Sequence, residues 1–129
     1  MRIVLVGPAQ TGTGTQGRML AERLGVPYLP AEIGADFEGA LLGHTAGFVL
    51  DGFPRTVAEA SALDRFLRAR AADLDVALHF QLPDAQLTPA EDALLEHYRG
   101  RVVELDADGA AEVVHERVLD GLREALVAA

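Results

Sequence analysis

A glycine-rich segment near the start of the chain most limits what the chain can fold into. Residues 7–15 read Gly-Pro-Ala-Gln-Thr-Gly-Thr-Gly-Thr, after the apolar run Ile3 to Val6 and before a stretch with helical spacing. A strand, a glycine-rich turn and a helix in this order are typical of loops that hold phosphate with backbone N–H groups. The segment therefore predicts a nucleotide-binding α/β fold. Its candidate cofactor-binding residues are Gly7, Gln10, Thr11, Gly12, Thr13, Gly14 and Thr15.

The same segment lacks one group that phosphate chemistry uses. The pattern G-x-x-x-x-G-K places a lysine directly after its second glycine, where it reaches the β- and γ-phosphates. Here Gly12 is followed by Thr13, and all 11 basic residues of the chain are arginines. A coding bias toward arginine explains the general absence of lysine, but it would have placed Arg at position 13. The loop thus predicts phosphate binding with weakened chemistry.

Apolar runs alternate with helical periodicity along the rest of the chain. Strands are predicted at 2–6, 26–29, 47–50, 76–82 and 101–105, and helices at 16–24, 37–42, 57–71, 89–98 and 110–127. Thr56 and Thr88 each precede a glutamate by three residues, the spacing of a capping box at a helix start. Near-continuous apolar strands between helices predict a five-stranded parallel sheet covered on both faces. We expect a three-layer α/β/α fold in a single domain, residues 1–129.

Asp51 marks a second point of the predicted ligand crevice. It directly follows the buried strand predicted at 47–50. Ligands of parallel sheets bind beyond the carboxyl ends of the strands, and the loop at 7–15 also follows a strand. Two independent signals therefore predict one crevice at this edge of the sheet.

The composition limits the classes of partner. The formal net charge is −9, so the chain offers no excess of basic side chains for a nucleic acid. The apolar run at 3–6 is too short for a signal peptide or a membrane span. The chain has no cysteine, which excludes a disulfide framework and a thiolate metal site. We expect a cytoplasmic protein with neither nucleic-acid nor membrane partners.

Three segments resemble the adenylate kinase family and its nucleoside monophosphate kinase relatives. The hexapeptide at 51–56 is identical to the family's D-G-F-P-R-T, and the loop at 7–16 is similar to its G-x-P-G-x-G-K-G-T-Q. The tail from Tyr98 to Glu116 is similar to the family's last strand, turn and helix. The resemblance implies a P-loop NTPase-type fold, the ligands ATP, ADP and AMP with Mg²⁺, and phosphoryl transfer between ATP and AMP.

The resemblance also implies roles for individual residues. Thr15 aligns with the hydroxyl that contacts Mg²⁺ in such loops, and Asp51 aligns with a carboxylate just outside the Mg²⁺ ligand sphere. Arg55 aligns with an arginine that contacts a substrate phosphate. The implied catalytic residues are therefore Arg55 and Asp51, and the implied metal-binding residues are Thr15 and Asp51.

The chain departs from the family's pattern at most other polar contacts. Besides Thr13, the departures are Gln10 for a glycine, Asp36 for an arginine, Glu59 for a glutamine that reads the adenine of AMP, a shortened monophosphate-binding segment at 30–46, and a bare connection at 83–87 where the family has its lid domain. Phosphoryl transfer depends on positioning and charge, and one lost electrostatic group lowers a rate by about 10²–10³. The departures predict an adenylate-kinase-like protein that is impaired in catalysis and retains weak nucleotide or phosphate binding.

Two other functions remain open at this point. An active nucleoside monophosphate kinase would use Arg55, or an arginine from another subunit, as its basic group. A structural domain would leave the loop empty and act through a protein partner or as a homo-oligomer. At the level of single residues, Arg55 has an alternative as an ion pair with Asp51 or Asp36. The residues at 106–108 are expected to form a polar turn rather than a metal site, and His79 to line the core or the crevice.

Overall fold

The computed structural model describes residues 1–8, 12–30 and 36–128, and these form one five-stranded parallel sheet with five helices. The strands are β1 (Arg2–Val6), β2 (Tyr28–Leu29), β3 (Phe48–Asp51), β4 (Val76–Gln81) and β5 (Val102–Asp106). The helices are α1 (Thr13–Leu24), α2 (Phe37–Leu41), α3 (Val57–Arg68), α4 (Pro89–His97) and α5 (Ala111–Ala128). The strand order is β2-β3-β1-β4-β5, with every neighbouring pair parallel.

The central strand β1 sends its side chains alternately to two helical layers. Val4 and Val6 pack with side chains of α2, α3 and α4, whereas Ile3 and Leu5 pack with side chains of α1 and α5. All four are buried, as a strand covered on both faces requires. The three-layer α/β/α arrangement predicted from the sequence is therefore confirmed.

Some element ends differ from the predicted ones, for local backbone reasons. Helix α1 begins at Thr13, three residues earlier than predicted, because Gly12 takes a left-handed conformation (φ 77°) that turns the loop directly into the helix. Helix α3 ends at Arg68 and does not continue to Ala71, which has a positive φ of 53°. Strand β2 contains only Tyr28 and Leu29, so Val26 and Pro27 of the predicted strand precede it.

The order of the strands creates a switch point beside β1. In the parallel register, Leu5 of β1 is beside Asp51 of β3, and Val6 is beside His79 of β4. The chain connects β1 to strands on one side and then crosses to the other side. Ligand crevices of open parallel sheets lie at such points. Within the described part of the chain, no helix is long and apolar enough to cross a membrane.

The connection from β4 to α4 at this edge of the sheet is brief. Residues 82–88 join β4 to α4 and contain one backbone turn bond, from Ala85 N–H to Leu82 C=O, at 3.1 Å. The predicted capping box then starts α4, because Thr88 and Glu91 bond each other's backbone N–H groups, both at 3.1 Å. Between β2 and β3, the described residues contain only the short helix α2.

Candidate functional site

A cleft of about 700 Å³ opens beyond the carboxyl ends of β1 and β3. Its walls come from the start of α1, the end of β2, the segment after β3 and the first turn of α4. Among its lining residues are five that the sequence predicted for the site: Gly7, Thr13, Gly14, Asp51 and Arg55. The structure therefore brings the glycine-rich loop and the D-G-F-P-R-T segment into one crevice.

The first turn of α1 meets the cleft without a side-chain cap. Gly12 occupies the N-cap position, makes no side-chain bond to the helix and is followed by no acidic residue in the first turn. Its carbonyl accepts the N–H of Gln16 at 3.0 Å, which starts the helical ladder. The first N–H groups of a helix have no partner within the helix, and the positive end of the helix dipole favours an anion beside them.

The predicted loop residues are not all at the cleft. Thr13 is only 6% exposed and contributes to the wall, whereas Gly12 and Thr15 are exposed and do not line it. Gln10 and Thr11 lie outside the described residues. The position expected for a lysine is thus occupied by a short, buried hydroxyl side chain, and the metal-binding role of Thr15 stays a prediction.

Asp51 is oriented by a phenol. Its Oδ2 atom accepts a hydrogen bond of 2.5 Å from the Tyr28 hydroxyl, and its backbone is fixed by pairing with β1. Charge-assisted O–H···O⁻ bonds of this kind are short and hold a carboxylate in one direction. The hydrogen bonds among the described residues leave the Oδ1 atom of Asp51 available to a ligand.

Arg55 reaches the cleft from the segment that follows β3. Its Nε donates to the carbonyl of Gly52 at 2.7 Å, and its backbone N–H donates to the Glu59 carboxylate at 2.8 Å. Within the described residues the guanidinium makes no ion pair with Asp51 or Asp36. The Glu59 N–H donates to the Thr56 hydroxyl at 3.2 Å, so Thr56 caps the helix as predicted. The Glu59 carboxylate binds the N–H of Arg55 and not that of Thr56, so the reciprocal bond of the predicted capping box is not formed.

Two residues of the cleft were missed by the sequence reasoning, Arg18 and Tyr28. The Arg18 guanidinium carbon lies 5.1 Å from the centroid of the Tyr28 ring, and both side chains line the cleft. Arg18 follows Gly14 by one helical turn, so the i,i+4 spacing would have indicated a shared helix face. Tyr28 left no such signal, because only the pairing of β2 with β3 brings it to Asp51.

A smaller cavity, of about 260 Å³, lies on the β4–β5 side of the same edge. His79, Gln81 and Asp106 are among its lining residues, so His79 lines the crevice as expected. Burial lowers the pKa of His79, and the carboxylates of Glu104 and Glu91 partly oppose that shift. Its Nδ1 has no hydrogen-bond partner in the described part of the chain. The imidazole is therefore neutral at neutral pH.

Asp106, at the end of β5, and Asp108, just after it, form the polar turn that the sequence predicted. Asp108 N–H donates to the Asp106 carboxylate at 2.9 Å, and the Arg117 guanidinium donates to the Asp106 carbonyl at 2.9 Å. In residues 1–8, 12–30 and 36–128, no three His, Asp or Glu side chains come together as a metal site.

Three curated relatives of this chain are named adenylate kinase. The adenylate kinase of Mycolicibacterium vanbaalenii is 31% identical over 179 residues, covering 95% of this chain and 99% of that protein. The adenylate kinase of Mycobacterium ulcerans is 33% identical over 151 residues, covering 92% and 78%. The adenylate kinase of Nocardia farcinica is 30% identical over 179 residues, covering 95% and 99%. No protein-family model matches the chain.

These relatives are longer than this chain. Two of the alignments extend over 179 positions, whereas the chain has 129 residues. Because these two alignments cover 95% of this chain and 99% of each relative, the additional residues of the relatives lie between aligned segments.

Proposed function

The chain belongs to the adenylate kinase family, and we propose that it binds an adenine nucleotide or a phosphate anion at the cleft while its phosphoryl transfer between ATP and AMP is impaired. The observation that carries this proposal is Thr13, a buried residue at the position where the family has a lysine. Binding draws on the backbone and on arginine side chains, which are present. Transfer needs additional charge on the reacting phosphate, which Thr13 does not supply.

Anion binding is supported by the positive groups that face the cleft. The uncapped start of α1 is one of them, and Arg55, with no ion pair to a described residue, is another. Arginine remains charged at all relevant pH values and matches phosphate oxygens with two parallel N–H donors. A phosphate in the cleft would therefore meet donors from both the loop side and the β3 side.

Magnesium fits this cleft together with a nucleotide but not alone. Mg²⁺ keeps several waters and is usually held by one or two carboxylates plus substrate phosphates. Asp51, oriented by Tyr28, offers such a carboxylate, and no ready-made cluster of metal ligands exists within the described residues. When bound, Mg²⁺ would neutralise phosphate charge beside Asp51.

Impaired transfer is supported by the other side of the crevice. Neither the connection 82–88 nor α4 contains an arginine or a lysine. The first arginine after them is Arg99, which is exposed and paired with Glu96 at 3.2 Å. We take this connection to stand in place of a lid, which would otherwise exclude water from the site. Each missing electrostatic stabiliser lowers the rate by about 10²–10³, so several together leave little turnover.

One observation favours a second candidate, an active nucleoside monophosphate kinase. Arg55 lines the cleft and is free of ion pairs among the described residues, as a catalytic cation would be. This candidate requires Arg55, or an arginine from another subunit, to replace the lysine.

A coupled assay of ADP formation from ATP and AMP, with calorimetric titration of ATP, ADP and AMP in MgCl₂, separates the candidates. We expect nucleotide binding with turnover far below the kinase range of about 1–100 per second. Turnover inside that range would show an active kinase. Absence of both binding and turnover would indicate an interaction domain with an empty loop. Thr13→Lys, which restores the lysine of the loop pattern, should raise the affinity for nucleotide.

A further inference from the structure

We propose that Arg18 supplies the phosphate-binding cation that the loop lacks at Thr13, with Tyr28 as the platform that holds its guanidinium at the cleft. The inference rests on the proposed function, because it names the residue that makes nucleotide binding feasible without a lysine. The ligand class it implies is a Mg²⁺-bound nucleoside di- or triphosphate.

Three polar atoms of different elements converge on one point above Gly14. A Cβ atom built on Gly14 would lie 3.6 Å from Nη1 of Arg18, 3.7 Å from the Tyr28 hydroxyl and 3.9 Å from Oδ2 of Asp51. The backbone of Gly14 leaves this point open, since it has no side chain. A phosphate oxygen or a Mg²⁺-bound water there would meet a cationic donor and a carboxylate acceptor together.

Arg18 reaches this point because of helix geometry. Gly14 and Arg18 are one turn apart on α1, and helical side chains lean toward the N-terminus of their helix. The long Arg18 side chain therefore extends back along α1 toward the loop. In this direction it passes over the Tyr28 ring, at 5.1 Å from guanidinium carbon to ring centroid.

The Tyr28 ring is held in place on two sides. Its hydroxyl donates to Asp51, and its edge packs against Gly17, where a Cβ atom would come within 2.5 Å of Cε1 of the ring. Only glycine at position 17 leaves room for the ring at this depth. Gly17, Tyr28 and Arg18 thus form one packed unit, and a guanidinium stacked on a fixed aromatic face is itself ordered.

The charge of Arg18 is not used elsewhere in the described structure. No carboxylate of the described residues lies within ion-pair distance of its guanidinium. Asp51 next to it is negative and would repel a bare phosphate, but it attracts Mg²⁺. The pair of Arg18 and Asp51 therefore selects a phosphate that carries its own Mg²⁺.

The test is calorimetric titration of the full chain with ADP, with and without MgCl₂. Arg18→Gln should raise the Kd for Mg·ADP by about tenfold or more, the usual effect of losing one charge-assisted hydrogen bond. Arg23→Gln is the matched control, because Arg23 is on the same helix, is exposed and does not line the cleft. Thr13→Lys is then introduced into wild type and into Arg18→Gln. It should lower the Kd for Mg·ADP by a larger factor in Arg18→Gln than in wild type.

The titrations separate the role of Arg18 from the proposed function. If Arg18→Gln binds Mg·ADP as tightly as wild type, the role of Arg18 is wrong while the proposed function stands. If wild type binds ADP neither with nor without MgCl₂, both are wrong. If Thr13→Lys lowers the Kd by the same factor in wild type and in Arg18→Gln, the two positions act on different parts of the ligand. Arg18 would then not take the place of the missing lysine. Thermal unfolding of each variant separates a loss of binding from a loss of folding.

Discussion

Two cavities at the same edge of the sheet differ in the charges that line them. The cleft on the β1–β3 side is lined by Arg18, Arg55 and Asp51. The cavity on the β4–β5 side is lined by His79 and Asp106, and none of the described residues that line it is an arginine. Because anions are stabilised by cations and N–H groups, we expect anion binding in the first region and not in the second.

This difference bears directly on the reaction. A kinase must surround the transferred phosphate with positive charge and hold both nucleotides in line. In this chain one half of the crevice retains cations and an uncapped helix start, while the other half offers a neutral imidazole and carboxylates. This division is the reason for our proposal that the chain binds a nucleotide on one side and is impaired in the transfer.

The largest expected effect concerns the packing that builds the cationic cleft. Gly17→Ala should lower the free energy of unfolding by about 1–3 kcal/mol, as overpacking does, because its Cβ would lie 2.5 Å from Tyr28 and 2.9 Å from Leu5. Urea denaturation followed by circular dichroism measures the change.

The control for this change is Gly14→Ala on the same helix. Its Cβ would meet nothing closer than 3.6 Å, so the free energy of unfolding should be unchanged or rise by up to about 1 kcal/mol. Equal stabilities of the two variants would mean that Tyr28 does not pack against α1 and does not hold Arg18 at the cleft.

The next effect concerns the cation from the β3 side. Arg55→Gln should raise the Kd for Mg·ADP by about tenfold, because a charged hydrogen bond to phosphate is lost. Arg65→Gln is the matched control, since Arg65 is exposed on α3 and does not line the cleft. Identical affinities for the two variants, measured by calorimetry, would remove Arg55 from the binding surface.

A smaller effect is expected at the phenol that orients Asp51. Tyr28→Phe keeps the ring under Arg18 but removes the 2.5 Å hydrogen bond to Oδ2. The free energy of unfolding should fall by about 1 kcal/mol, the usual contribution of such a bond. Affinity for Mg·ADP should fall more than affinity for ADP without Mg²⁺. A uniform fall in both would show that Asp51 does not act through the metal.

The smallest effect concerns pH and the other cavity. Because the pKa of His79 is lowered in the folded chain, the unfolded chain takes up a proton that the folded chain resists. Stability is therefore highest above the ordinary histidine pKa of about 6.5 and falls as the pH decreases from there to the lowered pKa of the folded chain.

Urea denaturation between pH 7 and pH 5 measures this contribution. His79→Gln should have a shallower pH dependence of stability than wild type, whereas His44→Gln, at an exposed position, should keep the wild-type dependence. A wild-type slope in His79→Gln would mean that burial does not lower the pKa of His79 in the folded chain.

Local signals were enough to predict most of the secondary structure. The strand Arg2–Val6 follows from its apolar run, and the start of α4 follows from the Thr88 capping box. Helix α1 starts earlier than predicted, because the spacing of apolar residues does not show that Gly12 takes the left-handed conformation from which the helix begins. The length of β2 was overestimated, since pairing with β3 and not propensity limits it.

The sequence by itself determined the layers of the fold, the position of the loop at a strand end and its meeting with Asp51. These follow from periodicity and from the rule that parallel strands end at one edge. Only the tertiary structure decided which side chains converge above Gly14. Arg18 and Tyr28 belong to different elements, and the contact between them depends on β2 pairing with β3 and on the ring seating against Gly17. Such contacts depend on distances across the sheet, and spacing along the chain does not encode those distances.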